Sequence, residues 1–255
     1  MSAPAGPLSA VAAMTAMELR LVLRRPENLF ATIIIPTLVL VLFSSIGILP
    51  TGTARGVDFL LPGSIALGVV ATSLVSLSIT TAYDRSYGVL KRLGGSPLSR
   101  SELIAARLLT VLAVELVQVG LLVGTATWLL GWTAGPGGSP QVVAIAVLAG
   151  TAAFAGLGLI LAGTLRAETV LAVANILFLA FLVVGGVVVP IDRLPGPLVT
   201  FAAALPAAPL TELLRAGLAS AGTAATASDV GSQVLLLAGW AIATTGLAAR
   251  TFRWE

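Results

Sequence analysis

The chain has 255 residues, of which 57% are hydrophobic and only 10% charged, with a formal net charge of +3. A water-soluble domain carries about 25% charged residues, so this composition excludes a soluble globular protein and describes an integral membrane protein with no room for a large soluble domain. The sequence has no His and no Cys, which excludes His/Cys zinc sites, Cys nucleophiles, Ser–His dyads, His-ligated haem and disulfides.

The first seventeen residues carry no charged side chain, whereas a signal peptide needs a basic stretch before its apolar core, so no cleavage is expected. Residues 8–25 favour a helix, with Leu8, Val11, Ala12, Leu19, Val22 and Leu23 at helical spacings and Arg20, Arg24 and Arg25 near its end. This pattern predicts an amphipathic helix along the cytoplasmic membrane interface. The organisation expected is an interfacial segment over 1–28 and a transmembrane domain over 29–255.

Uncharged stretches at 29–49, 59–82, 139–165, 169–191 and 230–249, with 108–131 carrying only Glu115, are each long enough to cross a hydrocarbon core of about 30 Å. The fold class predicted is therefore an all-α integral membrane protein with six spans, over about 29–49, 59–82, 108–131, 140–165, 169–190 and 230–249. Pro50-Thr51-Gly52 separates the first two, and 135–140, rich in Gly and Pro, separates the third and fourth. Six spans put both termini on one side. That side then holds eleven of the 14 basic residues, and the other holds Arg55, Arg193 and Arg215. The positive-inside rule places both termini in the cytoplasm, with no unpaired cation hidden in a span. The Pro-rich segment 192–229 is too broken for a seventh span and is expected on the outer side, with short helices near 198–205 and 209–219.

The loop after the second span, residues 83–100, reads YDRSYGVLKRLGGSPLSR. It opens as a charged helix with Asp84 and Arg85. Gly94-Gly95 ends the helix, Ser96-Pro97 turns, and Ser99 or Ser101 caps the next helix with Glu102 in its first turn. An apolar side of Val89, Leu90 and Leu93 beside a basic side suits docking into a groove on a cytoplasmic partner. The alternative is an ordinary solvated basic loop. Lys91 is the single lysine and follows Leu90, so no Gly-Lys-Ser/Thr phosphate loop exists. If ATP drives this protein, another polypeptide hydrolyses it.

Polar residues within spans are few. Glu115 lies near the middle of the third, with Gln118 on the same helical face. A carboxylate at mid-membrane costs about 2.5–3.5 kcal/mol on insertion scales, so it faces protein or a wet cavity. Two readings stay open: Glu115, Gln118 and Asn175 line a substrate cavity that attracts a cationic amphiphile, or Glu115 bonds a neighbouring helix through a group such as Asn175. Gly120 and Gly124 form a small-xxx-small pair that could pack against a helix or a second subunit. Arg166 and Glu168 read as interface anchors.

The 83–100 loop resembles the signature loop of type-2 ABC exporter permeases, through Asp84-Arg85, Gly88, Leu90, Lys91-Arg92-Leu93 and Pro97-Leu98-Ser99-Arg100. Tyr87 and Val89 depart from that pattern. Arg24-Arg25-Pro26 resembles the family's Arg-x-Pro start of the first span, and 190–215, with its Pro-Leu-Thr and Leu-Arg, resembles the family's segment before the last span. The resemblance implies a coupling helix in a cleft of an ATP-binding subunit, carried by Asp84, Arg85, Gly88, Leu90, Lys91, Arg92 and Leu93. It also implies re-entrant extracellular helices, two copies of the ATP-binding subunit, and a second copy of this chain or a paralogue. This chain would bind no cofactor; ATP and Mg would sit on the partner.

The function so implied is the membrane subunit of an ATP-driven exporter, of the multidrug-resistance type, in a bacterial cell membrane. It would move drug-like or lipid-like amphiphiles and would have no ATPase site of its own. A lipid-linked glycan exporter subunit and a non-ABC secondary transporter are the alternatives. No Gly-x-Gly-Asp or Gly-x-Ser-x-Gly supports an intramembrane enzyme. Nothing points to nucleic acid.

Overall fold

The computed structural model describes residues 6–24, 26–46, 56–96, 98–187, 191, 195–219 and 227–251. Among the described residues the regular structure is helical throughout. Helix α1 (Pro7–Leu23) starts with proline in its first turn, where a missing N–H costs nothing. It does not float free as a surface helix. Met14 is buried, and the Thr15 hydroxyl donates to the Ala106 carbonyl at 3.4 Å, so α1 leans on a later helix. Leu8 and Leu23 are 86% and 69% exposed on the protein surface.

Helix α2 (Pro26–Ile46) has 21 residues, about 30 Å, with Pro36 in its interior. The next rod runs unbroken over 56–86, as α3 (Gly56–Val70), a π-helical turn (Ala71–Ser76) and α4 (Leu77–Ser86). Every residue of 59–70 is buried. A helix apolar on all sides must be surrounded by others, and this one is the centre of the bundle. A six-residue helix α5 (Val89–Gly94) follows.

Helix α6 (Arg100–Leu129) begins at a capping box: the Ser99 N–H donates to Glu102 Oε2 at 2.7 Å, and the Glu102 N–H donates back to Ser99 Oγ at 3.3 Å. It starts where the sequence predicts the cap, at Ser99, and carries the buried Arg107 on the same helix as the apolar stretch from 108. Helices α7 (Pro140–Thr164) and α8 (Ala167–Val184) follow. Helix α8 stops short of the expected 190, at Gly185 and at Gly186 with φ +72°; residues 188–190 lie outside the described residues.

Helices α9 (Gly196–Ala204) and α10 (Ala207–Gly217) meet at a 79° bend, a broken pair in the segment where two short helices are expected. Helix α10 begins at Ala207 instead of Pro209, which fits in its first turn. The last helix, α11 (Ala227–Thr251), packs along α7, where Thr244 Oγ1 donates to the Ala153 carbonyl at 3.0 Å and Gly156 leaves room for Thr244. Small residues permit that approach where lipid offers no hydrophobic drive.

Among the described residues five helical rods are long and apolar enough to cross a membrane, matching five of the six expected spans, or up to six if the bent pair is counted as one span; the expected first span is represented by a shorter apolar stretch of α2, Thr32–Ile46. The turn expected at Pro50-Thr51-Gly52 and the cations Arg25, Arg55 and Arg193 lie outside the described residues or side chains.

Helix α7 defines the two ends of the bundle. At its start the Ser139 N–H donates to the Gly217 carbonyl of α10 at 2.7 Å. At its finish the Leu165 carbonyl accepts from Arg85 of α4. Helices α5 and α10 therefore lie at opposite ends. Arg20, Arg85, Lys91, Arg92, Arg166 and Arg250 sit at the α5 end, and Arg215 sits at the other.

Candidate functional site: the α5 platform and the cavity behind it

The break between α4 and α5 is made by Gly88, whose φ of +70° lies in the left-handed region that a side chain disfavours. The chain turns there, and α5 folds back under the bundle. Leu90 is fully buried, in a cluster with Met14, Leu77, Leu103, Ile104 and Leu159. Leu93 is half-buried against the same cluster. Tyr87 (73% exposed), Lys91 and Arg92 form the outward face. The apolar side that the sequence reading offers to a partner is thus divided: Leu90 anchors α5 to its own chain, and the surface available to a partner is basic and aromatic.

Two of the charged residues are also committed inside the chain. Asp84 Oδ2 lies 2.6 Å from Arg107 Nη2, and Arg107 also donates to Thr81 Oγ1. Arg107 Nε lies 3.4 Å from Glu18 Oε1 of α1. Arg107 is 2% exposed, so its charge is held by two carboxylates and a hydroxyl from three directions. Arg85 is tied to the end of α7 through the Leu165 carbonyl. Burial pushes the Glu18 carboxyl above the usual carboxylate range, and Arg107 and Thr110 pull it back only in part.

Beside this cluster lies a cavity of about 310 Å3, walled by α1, α2, the π turn, α4, α5 and α6. Glu18, Asp84 and Arg107 line it, with Thr72 and Ser76 of the π turn and otherwise mainly apolar side chains. A π turn inside a helix often marks a functional position.

The residues expected to line a substrate cavity lie elsewhere. Glu115 is fully buried and accepts a hydrogen bond from Thr151 of α7. Gln118 is 2% exposed and donates through Nε2 to the Thr32 carbonyl of α2 at 2.7 Å. Both are lodged between helices and do not line the cavity. Asn175 is exposed on α8 and donates to the Leu171 carbonyl of its own helix at 2.7 Å. It is not the partner of Glu115. The helix-to-helix reading of Glu115 therefore fits the geometry, with Thr151 in the partner's place. Among the described residues Gly120 has nothing near its face and Gly124 meets only Trp128 of its own helix, so this pair packs against no other described helix.

At the opposite end Arg215 is also buried. It donates to Glu212 Oε1 at 2.7 Å and to the Gly186 carbonyl at 2.6 Å, and it sits 4.3 Å over the Phe59 ring. It locks α10 onto the bundle. Both buried arginines are paired with carboxylates.

Sequence reasoning missed Glu18 and Arg107. Their signal was present: Glu18 falls one turn from Met14 and Val22 on α1, and Arg107 stands at the edge of an apolar run. A family model described as ABC-2 type transporter matches residues 9–219. The chain belongs to the ABC-2 type transporter family. No curated protein matches it. ABC-2 family members are membrane subunits of ABC transporters that work with a separate ATP-binding subunit, so this multi-pass chain is such a permease. The family match runs from α1 through α10, and so contains both the α5 platform and the cavity.

Proposed function

We propose that this ABC-2 permease exports hydrophobic or amphiphilic small molecules from the cytoplasm or the inner leaflet, driven by two copies of an ATP-binding subunit docked at the α5 end. The observation that carries this reading is the construction of α5. Lys91 and Arg92 of the helix, with Tyr87 just before it, face outward, and Leu90 and the Asp84–Arg107 pair bind its base to the bundle. A push on such a platform moves α4, α6 and α1 together, which is what coupling to ATP-driven closure needs. The concentration of basic residues at that end supports its cytoplasmic placement and the cytoplasmic termini. With ATP and Mg on the partner, this chain supplies the path and the lever. A second copy of the chain, or a paralogue, completes the path. A bacterial cell membrane is the setting this reading takes.

The experiment is co-expression and co-purification with a candidate ATP-binding ABC subunit, followed by ATPase assay of the complex. Arg92→Glu is expected to release that subunit or uncouple its ATPase from substrate. Full coupling in Arg92→Glu would refute docking at α5.

A further inference from the structure

We propose that the cavity between α1, the π turn, α4 and α6 binds a cationic amphiphile, its ammonium head against Glu18 and Asp84 and its chain along Met14, Val75 and Val114. At about 310 Å3 the cavity lies within the usual size of small-molecule sites, roughly 300–1,000 Å3. Its charge decides the ligand class. Among the lining residues only Glu18, Asp84 and Arg107 are charged, which leaves one net negative charge when all three are ionised. The Arg107 guanidinium is turned toward Asp84, Thr81 and Glu18, so it has little to offer an anionic head. A cation placed there meets carboxylates in a site of low dielectric, where the attraction exceeds its value in water.

Two further observations point to an occupant. Thr72 is 4% exposed, lines the cavity, and its hydroxyl has no hydrogen-bond partner among the described residues. The lone pairs of such a hydroxyl are open to a cationic head, by a hydrogen bond where the head carries an N–H and by ion–dipole contact where it is quaternary. Met17 and Leu21, 43% and 48% exposed, also line the cavity from α1, so its rim is apolar and suits approach from the lipid side. Val89 and Leu93 of α5 form part of the wall. An occupant therefore touches the docking platform itself. In its role as an export substrate the ligand rests on the function proposed above, but its binding does not.

The test uses the full chain, without any ATP-binding subunit, in phosphatidylglycerol nanodiscs. The probe is an alkyltrimethylammonium bearing a diazirine on its chain, with crosslinks mapped by mass spectrometry. Labelling is expected at Met14, Met17 or Val75. Excess dodecyltrimethylammonium is expected to suppress it, and dodecyl sulfate, with the same tail and opposite charge, is not. Glu18→Gln is expected to raise the half-saturating concentration about tenfold, the size of one lost charge contact. Met17→Trp, at an exposed position that tolerates bulk, is expected to block labelling at an unchanged melting temperature. Labelling elsewhere, equal competition by dodecyl sulfate, or labelling indifferent to both variants overturns the proposal. Adding phosphatidylethanolamine decides the source of the head group: suppression assigns the site to an amine-headed lipid, and persistence assigns it to a free amphiphile. A negative result here leaves docking at α5 standing, and failure of docking leaves this binding measurement intact.

Discussion

Asp84 Oδ2 and Arg107 Nη2 stand 2.6 Å apart across the junction of α4 and α6, and Arg107 is the more deeply buried of the two. The unequal burial makes the pair asymmetric. Removing Asp84 leaves a buried cation with only the longer Glu18 contact and the Thr81 hydroxyl. Removing Arg107 leaves carboxylates that can take up water. We expect Asp84→Ala to destabilise the chain by about 3 kcal/mol, the low end for a broken buried pair. Arg107→Met should cost less, and Asp84→Ala with Arg107→Met should melt above Asp84→Ala alone. Thermal melting of the four proteins in one detergent forms the cycle; simple additivity of the two losses would contradict the pairing.

Leu90 and Arg92 lie two positions apart on α5 and should fail in different ways. Leu90 is fully buried, so Leu90→Asp places a charge in the core and is expected to abolish folded protein rather than report on docking. Arg92 is exposed, and Arg92→Glu should change stability by less than about 0.5 kcal/mol. The same substitution should nonetheless release the ATP-binding subunit. Size-exclusion profiles separate the two: aggregation for Leu90→Asp, and a monodisperse permease without its partner for Arg92→Glu. A well-folded Leu90→Asp permease would show that α5 is not anchored as described.

The membrane class, five of the helical spans and the Gly94-Gly95 end of α5 were legible in the sequence because each rests on a one-dimensional pattern: apolar length, Gly and Pro punctuation. The Ser99–Glu102 capping box is equally local. What failed needed partners from distant elements. Leu90 reads as a docking residue until its depth is known, since a six-residue helix cannot declare which side faces its own bundle. Glu115 keeps both readings open, cavity residue or helix-to-helix bond, until Thr151, 36 positions on, is brought beside it. Arg107 and Glu18 belong to one cluster, but α1 and α6 meet only through tertiary packing, which a loop-by-loop tally of cations does not contain.

Glu115 serves the packing of α6 against α7. Glu115→Gln keeps an oxygen for the Thr151 hydroxyl, so stability is expected within about 1 kcal/mol of wild type and transport unchanged. Thr151→Val removes the one donor that serves the carboxyl and should cost about 1–3 kcal/mol. Melting and vesicle uptake of a fluorescent cation, measured on both variants, check this. Loss of uptake in a stable Glu115→Gln protein would return the residue to the transport path.

Glu18 should make stability depend on pH with a definite sign. Burial raises its carboxyl above the usual range, against the smaller opposing pull of Arg107, and nearby Asp84 raises it further. The folded chain therefore holds this proton more tightly than the unfolded chain does. Between the ordinary carboxylate value, about 4.3, and the raised one, the folded state binds more protons, so the contribution of Glu18 to stability falls as pH rises through that window. Glu18→Gln does not ionise and lacks this slope. The difference in melting temperature, variant minus wild type, is expected to grow with pH across the window and then level. A difference that shrinks instead would mean that the Arg107 contact outweighs burial. Dodecyltrimethylammonium binds the ionised form better, so it should raise the wild-type melting temperature more at the upper end of the range than at the lower, and should do so only weakly in Glu18→Gln.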